Sequence, residues 1–98
     1  MPQYPLAPVP GGTATTLDIT AATVIKSSPG RVFTVSVVVA GSAAGAVYDS
    51  ASTSGNTAAD QIGVIPNTAG VINFNAMPTA TGIVVAPGTG QTLAVSWS

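Results

Sequence analysis

The chain has 98 residues, enough for one domain with a single modest core. Only Asp18, Lys26, Arg31, Asp49 and Asp60 are charged, 5% of the chain against roughly 25% in an average soluble domain. A formal net charge of −1 offers no electrostatic footprint for nucleic acid or an anionic membrane. The absence of His, Cys and Glu removes the usual nucleophilic, disulfide and zinc chemistries, so we expect no enzyme and no cofactor.

Hydrophobic residues make up 46% of the chain, which speaks against disorder because disorder needs low hydrophobicity with high net charge. Neutral Thr, Ser, Asn, Gln and Gly must coat whatever faces water. Such a surface suits dense packing between molecules, since burying a hydroxyl costs less than burying a charge. The run Val37 to Ala40 falls far short of a membrane span, and Met1-Pro2-Gln3-Tyr4 lacks the basic start of a secretory leader. We therefore expect a protein made in the cytoplasm of a cell and left unprocessed.

Residues 1–12 read as an extended Pro-rich arm and residues 13–98 as a β-sandwich domain. Pro2, Pro5 and Pro8 recur every third position, one turn of polyproline II. They carry Tyr4, Leu6 and Val9 on a stiff segment suited to lying on a neighbour. Asp18 to Lys26 reads as a strand, with Ile19 and Ala21 alternating against Thr20. Ser27-Ser28-Pro29-Gly30 reads as a type II turn with Gly30 at positive φ. In Arg31 to Ala40, Phe33, Val35, Val37 and Val39 fall on one face and Thr34 and Ser36 on the other.

Short strands follow at Gly45–Asp49, Gln61–Pro66, Val71–Asn75, Gly82–Ala86 and Thr92–Trp97. Thr57 to Asp60 reads as a helical turn and Met77-Pro78 as an interruption. In the last strand Leu93, Val95 and Trp97 share a side. About seven strands with regular turn signals define an all-β fold: a single antiparallel sandwich or jelly-roll-like barrel.

Few groups remain for chemistry. Asp49 and Asp60 flank a polar loop where a hard cation could sit; the plainer reading has Asp49 capping the chain or pairing with Arg31 or Lys26. A two-carboxylate glycosidase needs positioned acids in a cleft, and three Asp residues on a small sandwich make a poor one. Gly88-Thr89-Gly90 lies between strands and reads as a hairpin turn rather than a phosphate loop. Tyr48 and Trp97 are either half-buried core or interface anchors, or a sugar-binding face. Lys26 and Arg31 bracket a turn and read as a solvated tip.

Five ordered segments carry a resemblance: Pro29-Gly30-Arg31-Val32-Phe33-Thr34, Gly45-Ala46-Val47-Tyr48-Asp49, Ile65-Pro66 with Ala69-Gly70-Val71-Ile72, Met77-Pro78 with Thr81-Gly82-Ile83-Val84-Val85, and Gly88-Thr89-Gly90-Gln91. In this order they resemble a family of small virion proteins of tailed bacteriophages, of the head decoration (cement) or head-fibre type. The resemblance implies a structural protein on the capsid surface of the virion, bound to the major capsid protein as a homo-oligomer, a trimer before a dimer. It implies no nucleic-acid or membrane partner. A receptor- or glycan-binding fibre module and a tail or baseplate component are the other readings. The arm, with Pro2, Tyr4, Pro5, Leu6, Pro8 and Val9 as its expected interface residues, falls outside the matched segments.

Overall fold

The computed structural model describes residues 14–98. The Pro-rich arm and its expected contacts at Pro2, Tyr4, Pro5, Leu6, Pro8 and Val9 lie outside the described residues. Eight strands form: β1 Ala14–Ile19, β2 Thr23–Lys26, β3 Arg31–Val39, β4 Gly45–Tyr48, β5 Gln61–Ile65, β6 Gly70–Pro78, β7 Ile83–Ala86 and β8 Thr92–Trp97. They make two four-stranded antiparallel sheets. Sheet I has the order β1-β8-β3-β6 and sheet II the order β2-β7-β4-β5. The molecule is a sandwich and not a closed barrel, with eight strands where about seven were expected.

The inner faces meet in a core of small branched side chains. Val32, Val35, Val37, Leu93, Val95, Phe74 and Ile19 come from sheet I; Val47, Ile65, Ile83 and Val85 come from sheet II. Ile25, Ile62, Ile72, Met77 and Trp97 pack around them. Each fully buried Val, Ile or Leu contributes about 1.5–3 kcal/mol relative to exposure. A core of this make-up holds because β-branched residues fit the pleated surface from which they project.

Three expectations are corrected, each for the same reason: irregular positions that reset the period. The single strand Asp18 to Lys26 is two strands in different sheets. Asp18 adopts φ 55°, and the β1–β8 register shifts between Thr16 and Ile19. The ladder resumes with Ile19 opposite Leu93 and then ends, and residues 20–22 carry the chain from sheet I to sheet II. In β3, Val35 and Val37 face the core as expected, but Val32 joins them in place of Phe33 and Val39. Against β8, a register shift between Val32 and Thr34 inserts one residue in β3 and brings Val32 inward in place of Phe33, and a second shift between Val37 and Val39 turns Val39 out. Phe33 is then only half-buried and Val39 is 50% exposed.

The strand expected to stop before Met77-Pro78 runs through them as β6, with Met77 opposite Val32 and Pro78 opposite Arg31. Asn75 and Ala76 take φ 54° and 57°, a local kink that re-aims the strand without ending it. β6 is an edge strand, where a proline costs no second ladder.

The turns are built from local polar contacts. Thr57 to Asp60 makes one closed turn, not a helix: Asp60 N–H donates to Thr57 C=O at 3.2 Å, and Thr57 N–H donates to Asp60 Oδ1 at 2.8 Å. Gly30 is not among the positive-φ glycines, so the expected type II role is absent. Glycine is needed there for space. A Cβ at Gly30 would strike the Ser98 carbonyl and come within 2.9 Å of Lys26 Cδ.

Candidate interaction surfaces

The register of sheet I fixes what its outer face presents. Val35 pairs with Val95 and Val37 with Leu93, all turned inward, so their partners Thr34 with Ser96 and Ser36 with Ala94 point outward. On the β6 side the same rows continue as Asn73 and Val71. The rows of this face carry Thr, Ser, Ala, Asn and Val and no charge. Charge occurs on the strands of sheet I only near their ends, at Asp18 and Arg31. Of the exposed large hydrophobics, Leu17, Val38, Val39 and Val71 stand on sheet I at 70%, 59%, 50% and 68% exposure, and Val64 stands on sheet II. A face of this kind can be covered without desolvating any ion.

The two singled-out aromatics lie in different sheets. Trp97 ends β8 in sheet I, packs against the core, and donates its Nε1–H to Thr16 Oγ1 at 2.9 Å. Its ring therefore anchors the margin of the interior. Tyr48 ends β4 in sheet II, half-buried, in register with Val84 and Gln61. The fold does not bring the pair together as one platform.

The carboxylates are used by the backbone. Asp49 Oδ2 accepts from Ala80 N–H at 2.9 Å, and Oδ1 accepts from Thr81 and Gly82 N–H at 2.7 and 3.2 Å. The N–H of Ala80 is the main influence holding the Asp49 pKa below its ordinary value; burial opposes it, and the Thr81 and Gly82 N–H groups add to it. Asp49 thus ties the loop after β4 to the loop before β7, the capping role among those weighed for it. Asp60 faces Thr57 N–H. Both carboxylates point at donors, the opposite of a cation cage, and no cluster of three His, Cys, Asp or Glu occurs among the described residues.

Two buried polar residues with structural roles carried little signal in the sequence. Gln91, 1% exposed, accepts from Gly88 N–H through Oε1 at 2.8 Å and donates from Nε2 to Pro66 C=O at 3.0 Å. It joins the turn before β8 to the end of β5. Thr79, 6% exposed, accepts from Gly30 N–H at 3.1 Å, while its own N–H donates to Gly30 C=O at 2.8 Å.

By fold the protein is a two-sheet antiparallel β-sandwich whose most distinctive surface is one uncharged sheet face. Compared with known protein families, curated proteins and solved structures, the chain matches none.

Proposed function

We propose that this protein is a structural virion component that decorates the head of a tailed bacteriophage, acting by surface contact and without catalysis. The observation that carries the reading is sheet I: its outer rows are free of charge, and its strands bear most of the exposed large aliphatic side chains among the described residues. Packing such a face against the major capsid protein or against another copy releases water from apolar surface and strands no buried ion. The ordered motifs from Pro29 to Gln91 support the same reading.

On this reading the protein is synthesised in the host cytoplasm and ends on the capsid surface as a homo-oligomer, a trimer before a dimer. The arm, residues 1–12, adds a second attachment through Tyr4, Leu6 and Val9, stiffened by Pro2, Pro5 and Pro8. Stiffening lowers the entropy lost on docking. Many modest contacts repeated by shell symmetry sum to a large effect on the particle.

The test is binding of purified protein to heads assembled without it, followed by particle reconstruction and light scattering. Saturable binding at symmetry-related sites is the expected result. A monomer that leaves heads bare overturns the reading. Specific binding on a glycan array, lost in Tyr48→Ala or Trp97→Ala, replaces it with a receptor-binding fibre module. Density on the tail alone replaces it with a tail or baseplate component.

A further inference from the structure

The only two cations of the chain, Lys26 and Arg31, line a single pocket of about 380 Å³ with Pro29, Pro78, Thr79 and Ser98. Lys26 ends β2 and Arg31 opens β3, so the intervening turn folds both side chains toward one hollow at the end of the sandwich. The floor is fixed by the backbone. Arg31 and Ser98 exchange N–H···O=C bonds of 2.9 and 3.0 Å, and Gly30 and Thr79 are tied by the contacts described above. The two prolines stiffen the rim, which leaves little to order when a ligand enters.

The aspartate side chains are engaged or held elsewhere. Asp49 serves the N–H groups of Ala80, Thr81 and Gly82, and Asp60 serves that of Thr57. Asp18 adjoins Ile19, which pairs with Leu93, five residues up β8 from Ser98. That is on the order of 15 Å along the strand, beyond the screening length at physiological salt. The guanidinium of Arg31 spends one donor on Ala76 C=O at 3.1 Å, and its remaining N–H groups keep the fork geometry that fits a planar carboxylate.

We infer that this pocket receives an Asp or Glu side chain from the surface on which the protein docks. The inference rests on the docking role proposed above and supplies what the neutral sheet cannot. Apolar and hydroxyl contacts tolerate sliding, whereas one carboxylate seated between Lys26 and Arg31 sets register and orientation.

The test uses two independent readings. In the first, the protein is titrated with acetate at constant ionic strength and followed by amide NMR. Saturable shifts at Gly30, Arg31 and Thr79 are expected. They are lost in the K26A/R31A double variant and at least halved in R31K, in which the ammonium cannot reproduce the fork. Unfolding temperature confirms that the variants fold. An α-carboxylate at Ser98 is the nearest internal competitor, so the titration is repeated on a chain extended by two glycines; a response seen only after extension overturns the proposal. So does inorganic phosphate binding about tenfold or more tightly than acetate.

In the second, head binding is compared for the unaltered chain and K26E/R31E, with a loss of about tenfold or more expected for the charge-reversed form. If heads bind both equally, the pocket assignment fails and the docking role stands. If acetate titrates the pocket but heads bind neither, the docking role fails.

Discussion

The ring of Phe74 on β6 lies over the backbone of Gly63 on β5: a Cβ at Gly63 would stand 2.5 Å from Phe74 Cε2 and 2.7 Å from Cζ. The two strands are edges of opposite sheets, so this contact closes one flank of the sandwich. Gly63→Ala is expected to lower stability by about 1–3 kcal/mol, because the ring must move. Phe74→Ala costs about 3–5 kcal/mol. With both changes in one chain, the added methyl at Gly63 costs little, since the ring that it strikes is gone. Urea unfolding of the four proteins checks this, and simply additive losses would refute the contact.

Asp49 makes stability depend on acid. Its folded pKa lies below the ordinary value of 3.8, so its contribution is complete above that value and fades as pH falls through the ordinary and then the folded pKa. The sequence has no His or Cys to titrate near neutrality. We expect a level stability profile down to about pH 5 and a decline below it. In Asp49→Asn the acid decline is shallower, and the loss at pH 7 is about 1–2 kcal/mol, limited by solvent access to the carboxylate. Chemical denaturation across pH 2–8, compared between the two proteins, is the check.

Gln91 is buried with both ends of its amide engaged. Gln91→Leu leaves Gly88 N–H and Pro66 C=O without these partners and should cost about 2–4 kcal/mol for the two unsatisfied groups. Gln91→Glu keeps the acceptor but places a carboxylate against the Pro66 carbonyl, and it should be at least as harmful at neutral pH. Thermal unfolding of the three proteins decides; a change under about 0.5 kcal/mol in Gln91→Leu contradicts the structural role.

A charge placed at the centre of sheet I separates folding from docking. Ser36→Arg or Ala94→Lys projects outward from the middle strands, so stability should change by no more than about 0.5 kcal/mol. If this face is covered in the assembled particle, the same substitutions abolish self-association or head binding, because the new ion would be buried without a partner. Sedimentation velocity and head binding measure the effect. Full association by a correctly folded Ser36→Arg protein would assign docking to another surface.

The sequence made the class of fold visible because most strands are short alternating runs punctuated by Gly and Pro. Thr92–Trp97 was legible to the residue, with Leu93, Val95 and Trp97 facing inward as the period requires. Where the reading failed, the cause was local irregularity. One apparent strand is two because the chain leaves the ladder after Ile19, at residues 20–22, and crosses to the other sheet. Shifts against β8 at Phe33 and again before Val39 take those two side chains off the core face, and paired left-handed residues at Asn75 and Ala76 bend a strand that otherwise continues. Such positions depend on tertiary context and leave no periodic trace. The roles of Gln91 and Thr79 were illegible for a related reason: each bridges segments far apart in the chain. The two cations were visible as flanks of a turn, but their shared pocket was not, because Pro78, Thr79 and Ser98 arrive from distant positions.

The strand order carries a consequence for biosynthesis. Of the six neighbouring strand pairs in the two sheets, only β4 with β5 joins strands consecutive in the chain. β1 finds its place against β8, and neither half of the polypeptide contains a whole sheet. A nascent chain therefore has almost nothing durable to form until Thr92–Trp97 has been translated, and maturation must be late, cooperative and slow by the standards of small domains. In the interval its Val-rich segments are unpaired and adhesive. A cell making many copies at once faces a race between intramolecular closure and coalescence, and conditions that delay synthesis of Thr92–Trp97 or raise the expression level should tilt that race toward insoluble material.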